Sequence, residues 1–229
     1  MKKLNVSMCA LLSVFLITSA QAGSFGLGVA GSVASVSAEG TETDGNTATG
    51  TETENSITTA TAGNEVMFGS IYAEYAFGDG ENLVFGIEHI PYSADINSKT
   101  LSRTDASQGS YTAEDTGTLK ANAEISKHTT YYVELGQGAT GMYGKVGFAS
   151  VDIDVKQNNA AGYGTYPDKT LDAFTYALGY RTGFGENGVI KVEGFMTDYD
   201  SYSATSTTSN TVSADLDVVG AKFMIGYKF

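Results

Sequence analysis

Three residues have the types and spacing for hydrolytic chemistry: Glu124, Ser126 and His128, at alternate positions in ANAEISKHTTYYVEL. In an extended segment all three share one face, with successive side chains ~6.6–6.8 Å apart along the strand. That separation just permits a Ser–His contact. A straight row, however, is poor at supplying the third group that orients the base, and a histidine in a polar interior is more often a hydrogen-bonding filler. The expectation is that the chain is not an enzyme. A larger set of charges follows the same alternation: Glu74, Glu88, Glu124, Glu134 and Glu193, with Lys145, Arg181, Lys191 and Lys222. The acids come mainly early in the chain and the bases late. They can pair only if the early and late segments face each other across a narrow interior.

The elements that place these residues are strands, because alternation runs through the chain and helical periodicity is almost absent. Counting back from Phe229, the residues Tyr227, Ile225, Phe223, Ala221 and Val219 form an apolar face, against Lys228, Gly226, Met224, Lys222 and Gly220. This is a period-two strand of about 11 residues, the length that crosses a bilayer at the usual tilt. The same pattern recurs in SFGLGVAGSV, EVMFGSIYAEYAF, LVFGIEHI, ANAEISKHTTYYVEL, MYGKVGFAS, FTYALGYRT and VIKVEGFMT, which makes eight strands. Their connections alternate in length. GDGEN (78–82), GQGATG (136–141) and GFGENG (183–188) are tight glycine-rich turns, whereas 38–64, 92–118, 154–171 and 200–213 are long and polar. Short turns at one end and long loops at the other describe an all-β fold, an eight-stranded antiparallel up-and-down transmembrane β-barrel.

Composition bounds the rest. Lys2 and Lys3, the apolar LLSVFLI and the small-x-small Ala20, Gln21 and Ala22 predict a secretory signal over 1–22 and a barrel domain over 23–229. The predicted mature chain has 11 basic and 26 acidic residues and no cysteine, since Cys9 lies in the signal. At −15 it has no basis for binding nucleic acid, and disulfides cannot stabilise it. No segment is apolar for the ~18 residues a membrane helix needs. A secreted soluble sandwich or lipocalin-like barrel is the competing fold. Against it stand a second face made of Gly, Ala and Ser, and aromatics clustered toward the short-turn ends (Phe25, Tyr75, Phe77, Tyr180, Tyr227, Phe229) as in an interfacial girdle.

On its strand pattern, its leader and its final YKF, the chain resembles the small eight-stranded outer-membrane barrels of the OmpA, OmpX and OmpW type, without the periplasmic domain of OmpA. The resemblance implies residence in the outer membrane of a Gram-negative bacterium, among lipid and lipopolysaccharide. It also implies that Tyr227 and Phe229 are the signal read by the barrel-assembly machinery. Some small barrels act on lipid A with an H-x-S pattern, which the order Glu124, Ser126, His128 does not match.

An eight-stranded interior is only just wide enough for its own side chains. The inward charges are therefore expected to form a salt-bridged plug, with a narrow porin-like channel as the alternative. No cofactor is expected. At the long-loop rim, Asp152, Asp154, Asp172, Asp198, Asp200, Asp215 and Asp217 are all expected to point outward. They form either a solvated acidic collar or, with Ca²⁺ or Mg²⁺, a bridge to anionic lipopolysaccharide. The long loops suit a hydrated screen, or adhesion and phage recognition, and name no ligand.

Overall fold

The computed structural model describes residues 23–43, 57–78, 80–96, 101–106, 114–119, 121–157, 165–206 and 211–229. The predicted signal lies outside them, as do 44–56 and 107–113 of the long loops. The described residues form twelve strands: β1 (Gly23–Thr43), β2 (Ile57–Phe77), β3 (Leu83–His89), β4 (Ala94–Ile96), β5 (Leu101–Ala106), β6 (Glu114–Leu119), β7 (Ala121–Gly136), β8 (Gly141–Gln157), β9 (Lys169–Phe184), β10 (Gly188–Tyr199), β11 (Tyr202–Thr205) and β12 (Thr211–Lys228). Eight of them form the wall in the order β1-β2-β3-β7-β8-β9-β10-β12, every neighbouring pair antiparallel. The ring closes where β12 pairs β1, from Gly26 opposite Lys228 to Thr43 opposite Thr211. β5 and β6 form a separate two-stranded sheet.

The three tight turns fall where the glycines predict. The long connections do not begin where predicted. β1 and β2 stay paired to Thr43 and Ile57, β8 runs to Gln157, and β11 adds to β12 within the predicted loop 200–213. Ser, Thr and Ala carry no apolar alternation there, yet the ladder continues, because a backbone pair already in register extends without it. Above the charged region the continuing strands enclose Val151, Ile153, Leu171, Tyr202 and Ala204, with Ile125, Val212 and Ala214 packed against them.

One local irregularity changes the reading of the hydrolytic residues. In β7, Ser126 pairs with Asp152 but Thr129 pairs with Ser150, so Lys127 and His128 oppose the single residue Val151. Lys127 takes the left-handed conformation, φ 52°. This is a β-bulge, and one extra residue exchanges the two faces. His128 points inward, whereas Glu124 and Ser126 lie outward in register with Asp154 and Asp152, and Ile125 turns inward instead. The expectation that Glu124, Ser126 and His128 share the inward face is thereby corrected, and Glu124 leaves the lumen network.

The inward glycines position aromatic rings. Tyr72 lies opposite Gly28, Tyr132 opposite Gly86 and Tyr143 opposite Gly179. Each ring lies against the bare Cα of its glycine, in space that a Cβ there would occupy. The lumen is therefore filled by tyrosines laid flat across facing glycines.

Candidate functional site: a charged floor, an apolar cavity and a gap in the wall

With Glu124 outside, the predicted lumen set is four carboxylates and four cations, and all eight are brought together. Glu134, on β7, has a side chain that is 0% exposed and is the hub. It lies 2.9 Å from Lys191 Nζ, 3.4 Å from Arg181 Nη1 and 3.6 Å from Lys145 Nζ. Lys191 also pairs with Glu74, and Lys145 with Glu193. Lys222 and Glu88 form a separate pair at 2.6 Å, with Ser70 donating to the same carboxylate. Tyr132 donates to Glu74 at 2.7 Å and Tyr143 to Glu193 at 3.0 Å. Arg181 reaches two turn carbonyls, Gly138 O at 2.8 Å and Glu81 O at 2.7 Å, and so ties the tight turns to the network. The charges balance and interlock, as charges removed from water must.

Above this floor the interior turns apolar. Ala34, Ala177, Phe195 and Val218 cluster with Val36, Val66, Phe68 and Tyr199. All of these but Ala34 line a cavity of about 140 Å³ whose polar lining includes Glu88, Lys222, Lys145, Glu193, Thr130 and His128. His128 Nε2 is 2.8 Å from Tyr199 Oη. Ile125 and Tyr199 line the cavity and also pack under the Val151–Leu171 cluster, which forms its roof.

Among the described residues, the lining of the cavity reaches both faces of the wall. β2 pairs with β3 only from Ile71 to Phe77. Beyond His89 the chain keeps to β7 instead: Ile90 N–H donates to His128 O at 3.0 Å, and β4 continues along β7. Amides along a strand point alternately to its two neighbours, so if Ile90 serves β7, residue 91 would serve β2. Residue 91 is Pro91, which has no N–H, and the β2–β3 ladder stops. The cavity is lined here by Ile90, Met67 and Tyr92. Met67 and Tyr92 are 84% and 64% exposed on the outer face, and the Tyr92 ring lies over Gly69. Nothing in the alternation pattern signals this gap. The proline within IPYSAD is its one legible cue.

The outer face decides what surrounds the barrel. Phe25, Leu27, Val29 and Val33 of β1, Met142 and Val146 of β8, Phe174, Tyr176, Leu178 and Tyr180 of β9, and Val219, Phe223, Ile225 and Tyr227 of β12 are all exposed. The belt on β12 from 219 to 227, nine residues at ~3.3 Å each and tilted ~40°, is roughly 23 Å tall. Its lower edge is an aromatic girdle in which Phe25, Phe229 and Tyr227 meet in sequence, and Tyr75, Phe77 and Phe85 do so edge to face. Such a surface is stable only in lipid. The chain is a transmembrane β-barrel of the outer-membrane type.

No family model matches the chain, and no curated protein matches it. Among solved structures it is similar to the outer membrane protein OprG of Pseudomonas aeruginosa, at 16% identity, covering 91% of this chain and 97% of that one, with a TM-score of 0.43. It is also similar to the outer membrane protease OmpT of Escherichia coli, at 8% identity, 90% and 97% coverage and a TM-score of 0.48. A third is the attachment invasion locus protein of Yersinia pestis in complex with the heparin analogue sucrose octasulfate, at 8% identity, 86% and 98% coverage and a TM-score of 0.34. The apolar belt and closed ladder of this barrel, rather than such remote likenesses, place it in a membrane.

The seven rim acids all point outward, just above the belt. Register puts Asp198 opposite Asp217, and Asp215 opposite Glu39 on β1. Several are already engaged. Asp152 accepts from Thr170 at 2.7 Å and Lys127 at 3.0 Å, Asp154 from Ser126 at 3.4 Å, and Asp215 from Ser201 at 2.5 Å. The threonine bond first, then the lysine, hold Asp152 below the usual carboxylate range. That contribution is present above the unfolded pKa of ~3.9 and fades as pH falls through the lowered folded value. Among the described residues no three His, Cys, Asp or Glu side chains converge on a common point.

Proposed function

We propose that this outer-membrane barrel serves as a side port for small apolar solutes, with a lumen plugged against ions. The observation that carries the reading is the cavity behind Pro91, bounded at once by lumen residues and by Met67 and Tyr92 on the lipid face. The interlocked floor speaks against axial passage, since ions would have to part four balanced pairs. Apolar lining above the floor suits a molecule that exchanges with the bilayer core rather than with water. In the test, Gly69→Cys and Tyr92→Cys are bridged by a short bis-methanethiosulfonate, which forms a reducible disulfide to each cysteine; the native chain's one cysteine is Cys9. Bridging is expected to cut uptake of a small apolar fluorophore by cells at least several-fold, with uptake restored on reduction. Uptake unaffected by the bridge overturns the port.

Assembly through the last strand belongs to the same proposal. Phe229 N–H donates to Phe25 O at 2.8 Å, and its ring joins the girdle, so it closes the β12–β1 seam on the lipid side. Phe229→Asp puts a carboxylate into that girdle and is expected to abolish outer-membrane insertion while export persists. Fractionation showing normal insertion removes this role.

A further inference from the structure

The cavity has a recognisable polar end, which narrows the class of molecule it takes. Glu193 sits at its base with a side chain that is 0% exposed. One carboxylate oxygen, Oε2, is occupied by Tyr143 Oη and Lys145. The other, Oε1, is buried and, among the described residues, has no hydrogen-bond partner, and neither has Lys145 Nζ beside it, so a hydroxyl could donate to the one and accept from the other. An ionised carboxylate oxygen only accepts, so the missing partner is a donor. It is also uncharged, for two reasons. The floor already pairs Glu193 with Lys145 and Glu88 with Lys222, so an anion would be left unpaired there, and a cation would likewise add unpaired charge to a lumen whose four acids match four bases.

The remaining constraint is size. A cavity of about 140 Å³ compares with the ~150 Å³ apolar cavity that holds benzene. Phe68 and Phe195, edge to face at 6.4 Å, line it and offer a third ring the same geometry. We infer that the site recognises a neutral monocyclic molecule bearing one hydrogen-bond donor, a phenol or an alcohol of that size, with its donor on Glu193 Oε1. This inference rests on the side-port reading and deepens it by naming the solute.

The experiment uses the full-length mature barrel in lipid nanodiscs and three probes, 4-fluorophenol, 4-fluoroanisole and 4-fluorobenzoate, followed by ¹⁹F NMR. Phenol is expected to bind about tenfold tighter than anisole, the loss that follows when one charge-assisted hydrogen bond goes unmade, with no detectable benzoate binding. Ala177→Leu fills the cavity and is expected to abolish binding of both neutral probes, which ties the signal to this site. The double substitution Lys145→Met with Glu193→Met removes the ion pair at similar volume and is expected to equalise phenol and anisole without weakening anisole. If that variant does not assemble, Glu193→Gln, whose amide can donate to the ether oxygen, is expected to shrink the preference. Equal binding of phenol and anisole by the native barrel overturns the donor inference and leaves the port standing. If neither neutral probe binds the native barrel, or binding is the same in Ala177→Leu, both fall.

Discussion

Glu134→Leu is expected to destabilise the barrel by about 3–5 kcal/mol, read from urea unfolding in lipid vesicles, because it strips the shared anion from three buried cations. Lys191, Arg181 and Lys145 all converge on that carboxylate. Lys145 keeps Glu193, and Arg181 keeps the carbonyls of Gly138 and Glu81. Among the described residues, Lys191 keeps one carboxylate, Glu74, itself already bonded to Tyr132, and the faces of Tyr72 and Tyr143. Leucine has similar bulk, so the loss reports charge rather than a cavity. The control is the isolated pair: replacing Lys222 and Glu88 together by methionine removes both charges at once and is expected to shift stability by no more than about 1 kcal/mol in the destabilising direction. A Glu134→Leu barrel as stable as the native one shows that water, and not the ion pairs, solvates these lysines.

The native barrel is expected to be silent in planar bilayers, and the triple substitution Tyr72→Ala, Tyr132→Ala, Tyr143→Ala to give resolved single-channel steps. The three rings lie across the lumen against Gly28, Gly86 and Gly179 and are almost wholly buried. Two of them also donate hydrogen bonds to the network, Tyr132 to Glu74 and Tyr143 to Glu193. Removing them leaves polar, charge-lined space large enough for water, which then rehydrates the floor and conducts ions. The glycines cannot refill that space. Native conductance would show that the pairs part under voltage and would restore the narrow-channel reading. Silence from the triple variant would show that the ion pairs alone seal the lumen.

Much of this was legible in the chain. Alternation from Tyr227 back to Val219 assigned the lipid face of β12 correctly, as it did for β1, β2, β8, β9 and β10. Eight of the nine charges assigned to the lumen do meet there. Alternation misplaces Glu124 because a period-two count carries a face forward unchanged, and a single extra residue at Lys127–His128 reverses it. A lysine with positive φ has no sequence signature, so that bulge is invisible before the structure. The long polar connections were misjudged for the opposite reason. Serine and threonine tracts carry no burial pattern, yet the backbone ladder of β1 and β2 extends through them to Thr43 and Ile57.

The eight wall strands, the lipid face, the aromatic girdle and eight of the lumen charges are legible in the chain before it folds. All of these follow from side-chain period and type, which are local properties of an extended chain. Which acid meets which base, that the upper lumen is apolar, and that the β2–β3 ladder ends at Pro91 emerge only on folding. Those depend on the register between strands far apart in sequence, and on which neighbour each backbone amide faces. Neither is written in any single strand.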